Sequence, residues 1–393
     1  MIRPLDGITV VSFEHAIAAP LCSRQLADLG ARVIKVERPG AGDFARAYDT
    51  RVKGLASHFV WTNRSKESLT LDLKHPDAHA ALMDLLARAD VLVQNLAPGA
   101  AARMGLSFDA LQDHNPRLIV CNISGYGDDG PYRDKKAYDL LIQGEAGFLS
   151  VTGTPEAPAK AGISVADIAA GQCASNGILS ALLLRARTGR GSAIDVSMLE
   201  SLAEWMGYPM YYAFEGAPPP PRAGASHASI YPYGPFEAGD GGTVMLGLQN
   251  EREWSAFCET VLNDAALATD PRFASNARRN EHRAELQALV LAVFRDLSTA
   301  QVLERLDAAR IANARVNDMA GLWAHPQLRS RARWTSVGSP AGPIPALLPP
   351  GNSNAFDHRM DPVPAVGQHT DAILRELGLD DGRIAAMRSS GAI

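Results

Sequence analysis

Cysteine is scarce in this 393-residue sequence: Cys22, Cys121, Cys173 and Cys258 lie far apart, with no CxxC pair. That spacing argues against a disulfide framework or a zinc knuckle and leaves reduced thiols as the expectation. Charge of one sign is lacking too. The 38 Lys and Arg against 43 Asp and Glu give a net charge of -5 without a long basic run, so no nucleic-acid partner is expected. Long apolar runs are missing: GILSALLLR at 177–185 is too short to cross a bilayer, and no membrane partner is expected. The opening MIRPLDGITVVSF has no sustained apolar stretch ahead of a small-residue cleavage site, which predicts a cytoplasmic protein without a secretory signal. GxGxxG, Walker A, HExxH, EF-hand and GxSxG patterns are absent, which removes support for the common nucleotide, metallopeptidase and serine-hydrolase chemistries.

What is present is a globular composition, 46% hydrophobic and 21% charged, with 34 Gly and 25 Pro that mark many turns. ITVVSF (8–13), ARVIKVE (31–37), DVLVQN (90–95), RLIVCNISG (117–125) and SAIDVSM (192–198) read as strands. Helical spacing falls between them in PLCSRQLADLG (20–30), PDAHAALMDLLAR (76–88), FDALQDHNP (108–116) and the long segment 164–191, which TGRG stops. The alternation predicts an α/β fold with a large doubly wound parallel sheet. YPMYYAFEGAPPPPRAG (208–224) reads as a stiff linker, strands flank EAGDGG in 231–248, and helices follow up to 328. The expected organisation is a large domain over 1–200, a linker over 201–224 and a small α+β domain over 225–328. A return linker over 329–365 then leads to a C-terminal helical segment over 366–393 that rejoins the large domain.

Asp167 is the leading candidate for catalysis, because a carboxylate at a helix start has amide donors and the macrodipole to favour its ionised form. An ordinary N-cap would look the same. Small residues at Ala169, Ala170, Gly171, Ala174 and Gly177 allow a helix or a ligand to lie close by. Glu37 and Arg38 end a strand, where parallel sheets present groups to ligands, and Arg38, Lys74, Arg103 and Lys136 together offer charge for an anionic cofactor. His15 either meets a substrate carboxylate or satisfies the backbone. Tyr138 and Asp139 are either a donor and base or a packed ring and a cap, and Cys173 reads as a buried helix cysteine.

The segments VVSFEHAIAAPLCSRQLADLGARVIKVERPGAGD (10–43), NRSKESLTLDLKHP (63–76), NPRLIVCNISGYGDDGPY (115–132) and VADIAAGQCASNGILSALLLRARTGRG (165–191) carry a family resemblance, as do PYGPFEAGDGG (232–242) and VGQHTDAILRELG (366–378). They resemble the class III CoA-transferases, the formyl-CoA and carnitine CoA-transferase-like family, over essentially the whole chain. The resemblance implies an interlocked homodimer, acyl-CoA and small carboxylate substrates, and coenzyme A thioesters in place of a prosthetic group or metal. It implies that Asp167 attacks a donor such as succinyl-CoA, giving an acyl-aspartyl anhydride and then an aspartyl-CoA thioester. CoA contacts carry over to Arg38, Leu71, Lys74, Asn95, Arg103, Met104, Lys136 and Tyr138, with His15 and Ile17 near the acceptor. Ile17 stands where the formyl and oxalate members have glutamine, which disfavours formate-to-oxalate transfer. The family's range, together with the basic and polar loops, implies a small dicarboxylate acceptor such as itaconate, mesaconate or a hydroxylated relative. Tyr138 stands where the racemase branch has histidine, which disfavours a 2-methylacyl-CoA racemase. A non-catalytic CoA-binding protein is the remaining alternative.

Overall fold

Strands with consecutive apolar residues, such as TVVSF and VLVQ, have to be covered on both faces. The computed structural model, which describes residues 2–393, buries them in a sheet of six parallel strands. These are β1 (Thr9–Phe13), β2 (Arg32–Glu37), β3 (Lys66–Thr70), β4 (Val91–Gln94), β5 (Ile119–Ser124) and β6 (Ala193–Ser197). Their order is β3-β2-β1-β4-β5-β6, so the direction of winding reverses between β1 and β4 and opens a crevice at the strands' carboxyl ends. Helices α1 (Ala18–Asp28), α2 (Pro76–Leu86), α3 (Asp139–Glu145) and α4 (Val165–Thr188) belong to the same unit. Gly189, at φ 72°, closes α4 in the left-handed cap that TGRG predicts.

Two compact units divide the chain. The larger takes the chain up to Gly147, Ala161–Gly207 and Leu328–Ile393; the smaller takes Phe148–Lys160 and Tyr208–Gln327. In the larger unit a hairpin, Trp334–Val337 with Ile344–Leu347, lies within the segment read as a return linker. Thr370–Glu376 and a further helix, Asp381–Ser389, place Ile373, Leu374, Ile384 and Met387 in the core with Ile34, Leu69 and Leu92. The smaller unit pairs antiparallel strands Tyr233–Glu237, Thr243–Gly247 and Ala312–Arg315 and packs helices Arg283–Phe294 and Thr299–Ala308 around Trp254, Phe257, Phe273 and Phe294. The linker reading departs from the structure in two helices: Met198–Trp205 runs into it and Gly207–Tyr212 forms a short helix before the proline run, whose residues carry no regular structure. Among the described residues no single helix is long and apolar enough to cross a membrane.

Candidate functional site

The loop after β1 is pinned at the switch-point crevice. Asn95, which follows β4, accepts from the His15 amide at 2.9 Å and donates to the His15 carbonyl at 2.9 Å. Ala16 next to it holds φ 61°, a conformation that costs a non-glycine residue about 1 kcal/mol or more and persists only when its surroundings enforce it. Ile17 then starts α1 without a side-chain cap, and its own side chain is buried. The first amides of α1 are therefore left for an outside acceptor.

Asp167 supplies that acceptor. It lies in the first turn of α4, half-buried, and the Ala18 amide at the start of α1 faces its carboxylate and favours its charged form. The two helices approach closely because position 171 is glycine: a Cβ there would come within 2.7 Å of the Ala18 carbonyl oxygen. The small-residue face of α4 thus receives another helix.

The expectation that a helix start keeps Asp167 ionised fails for a definite reason. Asp139, the first residue of α3, already occupies the α4 amides, its Oδ1 accepting from Ala166 at 2.8 Å and Asp167 at 3.3 Å. Gln143 holds the other Asp139 oxygen at 2.7 Å. Burial, followed by the negative charge of Asp139, pushes the Asp167 carboxyl up to about 7, and only the Ala18 amide opposes them. Asp139 is therefore an N-cap from a neighbouring helix and not a base paired with Tyr138.

Aromatic rings lead away from this carboxyl. His15 stacks on Phe44 at 5.1 Å between ring centroids, Phe44 meets Tyr48 at 5.7 Å, and Tyr48 meets His58 edge-on at 5.5 Å. Burial first, then the charges of Asp43 and Asp167, raise the Tyr48 hydroxyl above its ordinary range, with Tyr138 adding to the effect. Tyr138 itself is exposed. Sequence reasoning passed over Phe44 and Tyr48, and their signal was an aromatic pair at i and i+4 in a segment that follows a strand end.

The other candidates follow strands at the same sheet edge. Arg38 comes directly after β2 and is exposed, and Leu71 comes directly after β3, tied by its amide to the Glu37 carbonyl at 3.0 Å. The Leu71 side chain is buried in the core, so it does not offer a face to a ligand. Lys74 is exposed ahead of α2; Arg103 is exposed beyond β4, with its guanidinium folded toward Gly99. Met104 is half-buried, and its carbonyl meets His79 Nε2 at 3.1 Å. Lys136 is exposed in the loop after β5. A cavity of about 290 Å³ is lined in part by Pro39, Gly40, Thr70 and Arg388, the first and third being chain neighbours of Arg38 and Leu71. Glu37, in contrast, is not presented to ligands: Arg46 grips it at 2.7 and 2.9 Å and Ser68 at 2.6 Å. Cys173 is half-buried.

Beneath the β1 loop lies a group of charges that no motif announced. Glu14, Lys35, Asp43 and Lys66 have side chains with no exposed surface. Lys35 Nζ donates to Asp43 at 2.8 Å and Glu14 Oε1 at 3.2 Å, and Lys66 Nζ donates to Glu14 Oε1 at 2.6 Å. Burial opposes the Glu14 charge, but the two lysines hold its carboxyl down to about 2. The available signal was a lysine inside the otherwise apolar RVIKVE strand. Among the described residues no cluster of His, Cys, Asp and Glu is placed to hold a metal.

Comparison with known proteins gives the same frame. The model of CoA-transferase family III matches residues 5–370. An acyl-CoA transferase from Fusarium pseudograminearum is 35% identical over 99% of this chain and 88% of its own length. The succinate–glutarate CoA-transferase of Agrobacterium fabrum is 33% identical over 95% of this chain and 96% of its own. The crystal structure of a CAIB/BAIF family protein from Brucella suis superposes with a TM-score of 0.87 at 32% identity, covering 96% of this chain and all of that one. With the parallel α/β domain, the smaller α+β domain and the family match in agreement, the chain belongs to CoA-transferase family III and is an enzyme of the class III CoA-transferases.

Proposed function

We propose that the enzyme moves CoA from succinyl-CoA or a similar donor to a C4 or C5 dicarboxylate, with Asp167 as the nucleophile. The observation that carries this reading is the Asp167 carboxyl itself, half-buried where α4 meets the start of α1, with the Ala18 amide facing it. Ionised Asp167 attacks the thioester carbon, the C–S bond breaks and CoA leaves as thiolate, giving a mixed anhydride. The thiolate attacks the aspartyl carbon and expels the donor carboxylate. The acceptor carboxylate then attacks the aspartyl thioester, and the released thiolate takes the acceptor acyl group and restores the Asp167 carboxylate. No net proton is consumed.

Arg38, Lys74, Arg103 and Lys136, exposed at one sheet edge, would hold the phosphates of CoA, and the cavity beside Arg38 and Leu71 suits its adenosine end. The thiol end would run past Asn95, Met104 and Tyr138 toward Asp167, with His15 and the Ile17 backbone beside the acceptor. Dicarboxylates are favoured by the named substrates of the Agrobacterium relative, succinate and glutarate, and by two imidazoles, His15 and His58, on the aromatic row. The large exposed apolar side chains favour an interlocked homodimer in solution.

The decisive experiment incubates enzyme with succinyl-CoA, traps with hydroxylamine or borohydride, and maps the modified peptide by mass spectrometry. Label on Asp167 supports the mechanism, and label confined to any other residue sinks it. A panel of acids run alongside should give new dicarboxyl-CoA thioesters. Turnover restricted to formate and oxalate would refute the substrate class, and deuterium exchange at C2 of a 2-methylacyl-CoA without transfer would select a racemase.

A further inference from the structure

We propose that Lys66, with Glu14 and Ser23, is a positioning group for Asp167: together they lock the β1 loop and the first turn of α1 so that the Ala18 amide stays aimed at the Asp167 carboxylate. The proposal rests on Asp167 being the nucleophile. Its observations are geometric. Lys66 projects from β3 into the interior and spends all three of its protons, on Glu14 Oε1 at 2.6 Å, on the Pro20 carbonyl at 3.0 Å and on Asn63 Oδ1 at 3.1 Å. Glu14 directly follows β1 and Pro20 lies in the first turn of α1, so this ammonium group ties together the two ends of the loop that holds His15, Ala16 and Ile17. Glu14 makes a second tie to α1, accepting from Ser23 Oγ at 2.5 Å. Lys35 adds a third tie, donating to the Glu14 carbonyl at 3.3 Å.

Four buried charges are a costly way to fill a core, since apolar side chains of similar volume commonly give equal or greater stability. What such a cluster supplies that apolar packing does not is direction: each hydrogen bond fixes an atom to a few tenths of an ångström. Direction is needed here because Ala16 is held at φ 61° and would relax if the loop were free. The loop is gripped from the other side by Asn95, so the only parts left to move are Ile17 and the α1 amides that face Asp167. The titratable groups facing Asp167 are Asp139 from α3 and Tyr48 from the segment after β2, with Ala18 as the sole amide that lowers its pKa. Loss of the Ala18 contact therefore has one direction: Asp167 binds its proton more tightly and attacks less readily.

The test uses the charge-balanced double variant Glu14→Gln with Lys66→Met, which leaves the Lys35–Asp43 pair intact, and the neutral variant Ser23→Ala. Trapping of wild-type enzyme with succinyl-CoA comes first: absence of label on Asp167 would overturn the proposed nucleophile and this role with it. Given that label, the double variant should bind CoA within about twofold of wild type by calorimetry while kcat drops at least tenfold. The midpoint of its kcat/KM against pH should move upward. Ser23→Ala should show the same pattern at smaller size, a severalfold loss in kcat with KM for the donor unchanged. A folded double variant with wild-type kcat and pH midpoint refutes the positioning role. Should the double variant fail to fold, Ser23→Ala decides: wild-type kcat and pH profile there refute it, and a kcat loss with an upward midpoint supports it.

Discussion

The carboxyl group proposed as the nucleophile is held partly out of water and beside a second carboxylate. Because Asp167 is raised to about 7, first by burial and then by Asp139, its nucleophilic fraction falls as pH drops through that value. The expected kcat/KM for the acyl-CoA donor declines tenfold per pH unit below about 7, and a profile flat down to pH 5 would contradict it. The same shift makes a stability statement. A carboxyl raised in the folded state is matched in protonation below its unfolded value, and folding loses stability as pH climbs from about 4 to 7. Asp167→Asn removes that loss, so at pH 8 it should unfold later than wild type by about 1–2 kcal/mol, discounted for partial exposure, with the gap closing at pH 4. Denaturant titrations at both pH values check this. Arg38→Ala and Arg103→Ala should each weaken CoA binding by roughly 10-fold or more, since a hydrogen bond to a charged group is worth about 1.5–3 kcal/mol. Equal affinities for CoA in wild type and both variants would remove those arginines from the site. Asp167 was legible in the sequence because it opens a long helix with small residues behind it. Asp139 was read as a possible cap, but the helix it caps was not legible, because that helix start lies 28 residues away and only folding brings the two together.

At the scale of elements, one glycine sets the distance between the helices that meet at the carboxyl. Ala substituted at Gly171 would put its Cβ 2.7 Å from the Ala18 carbonyl oxygen and 3.3 Å from Leu21 Cβ, contacts with backbone and core that cannot simply rotate away. Overpacking of this kind costs about 1–3 kcal/mol. Gly171→Ala should therefore lower stability by that amount and, by pushing α1 off α4, reduce kcat more than it weakens CoA binding; unchanged melting and turnover would show that the helices have slack. The apolar strands and the helices between them were readable from periodicity. Strand β3 was missed because KESLT turns polar groups inward: Lys66 to Glu14, Ser68 to Glu37 and Thr70 to Thr370. Hydrophobic alternation has no way to register a strand whose interior face is satisfied by hydrogen bonds. The helical reading of 366–393 did not resolve its two helices, because the second, Asp381–Ser389, commits only Ile384 and Met387 to the core.

For the whole molecule, the unmet requirement is cover for large apolar side chains. In the larger unit Leu183 and Leu184 on α4 are 69% and 53% exposed and Trp205 is 51% exposed. In the smaller unit Met210, Tyr211, Phe214 and Met319 are all more than half exposed. Single exposed leucines need no explanation, but runs such as Leu183-Leu184 and the aromatic segment 208–214 are costly to leave in water at about 25 cal/mol per Å². A second copy of the chain would cover them, and the family resemblance implies that the copies thread through one another. Light scattering should then return twice the 41.9 kDa chain mass at micromolar concentration and below. Threading makes a further demand that ordinary docking does not. Tagged and untagged dimers mixed after folding should fail to exchange chains over hours, because separation requires one chain to unfold, and should form mixed dimers once denatured and refolded together. A mass of one chain would refute the dimer, and rapid exchange between folded dimers would refute the interlocking while leaving a dimer in place.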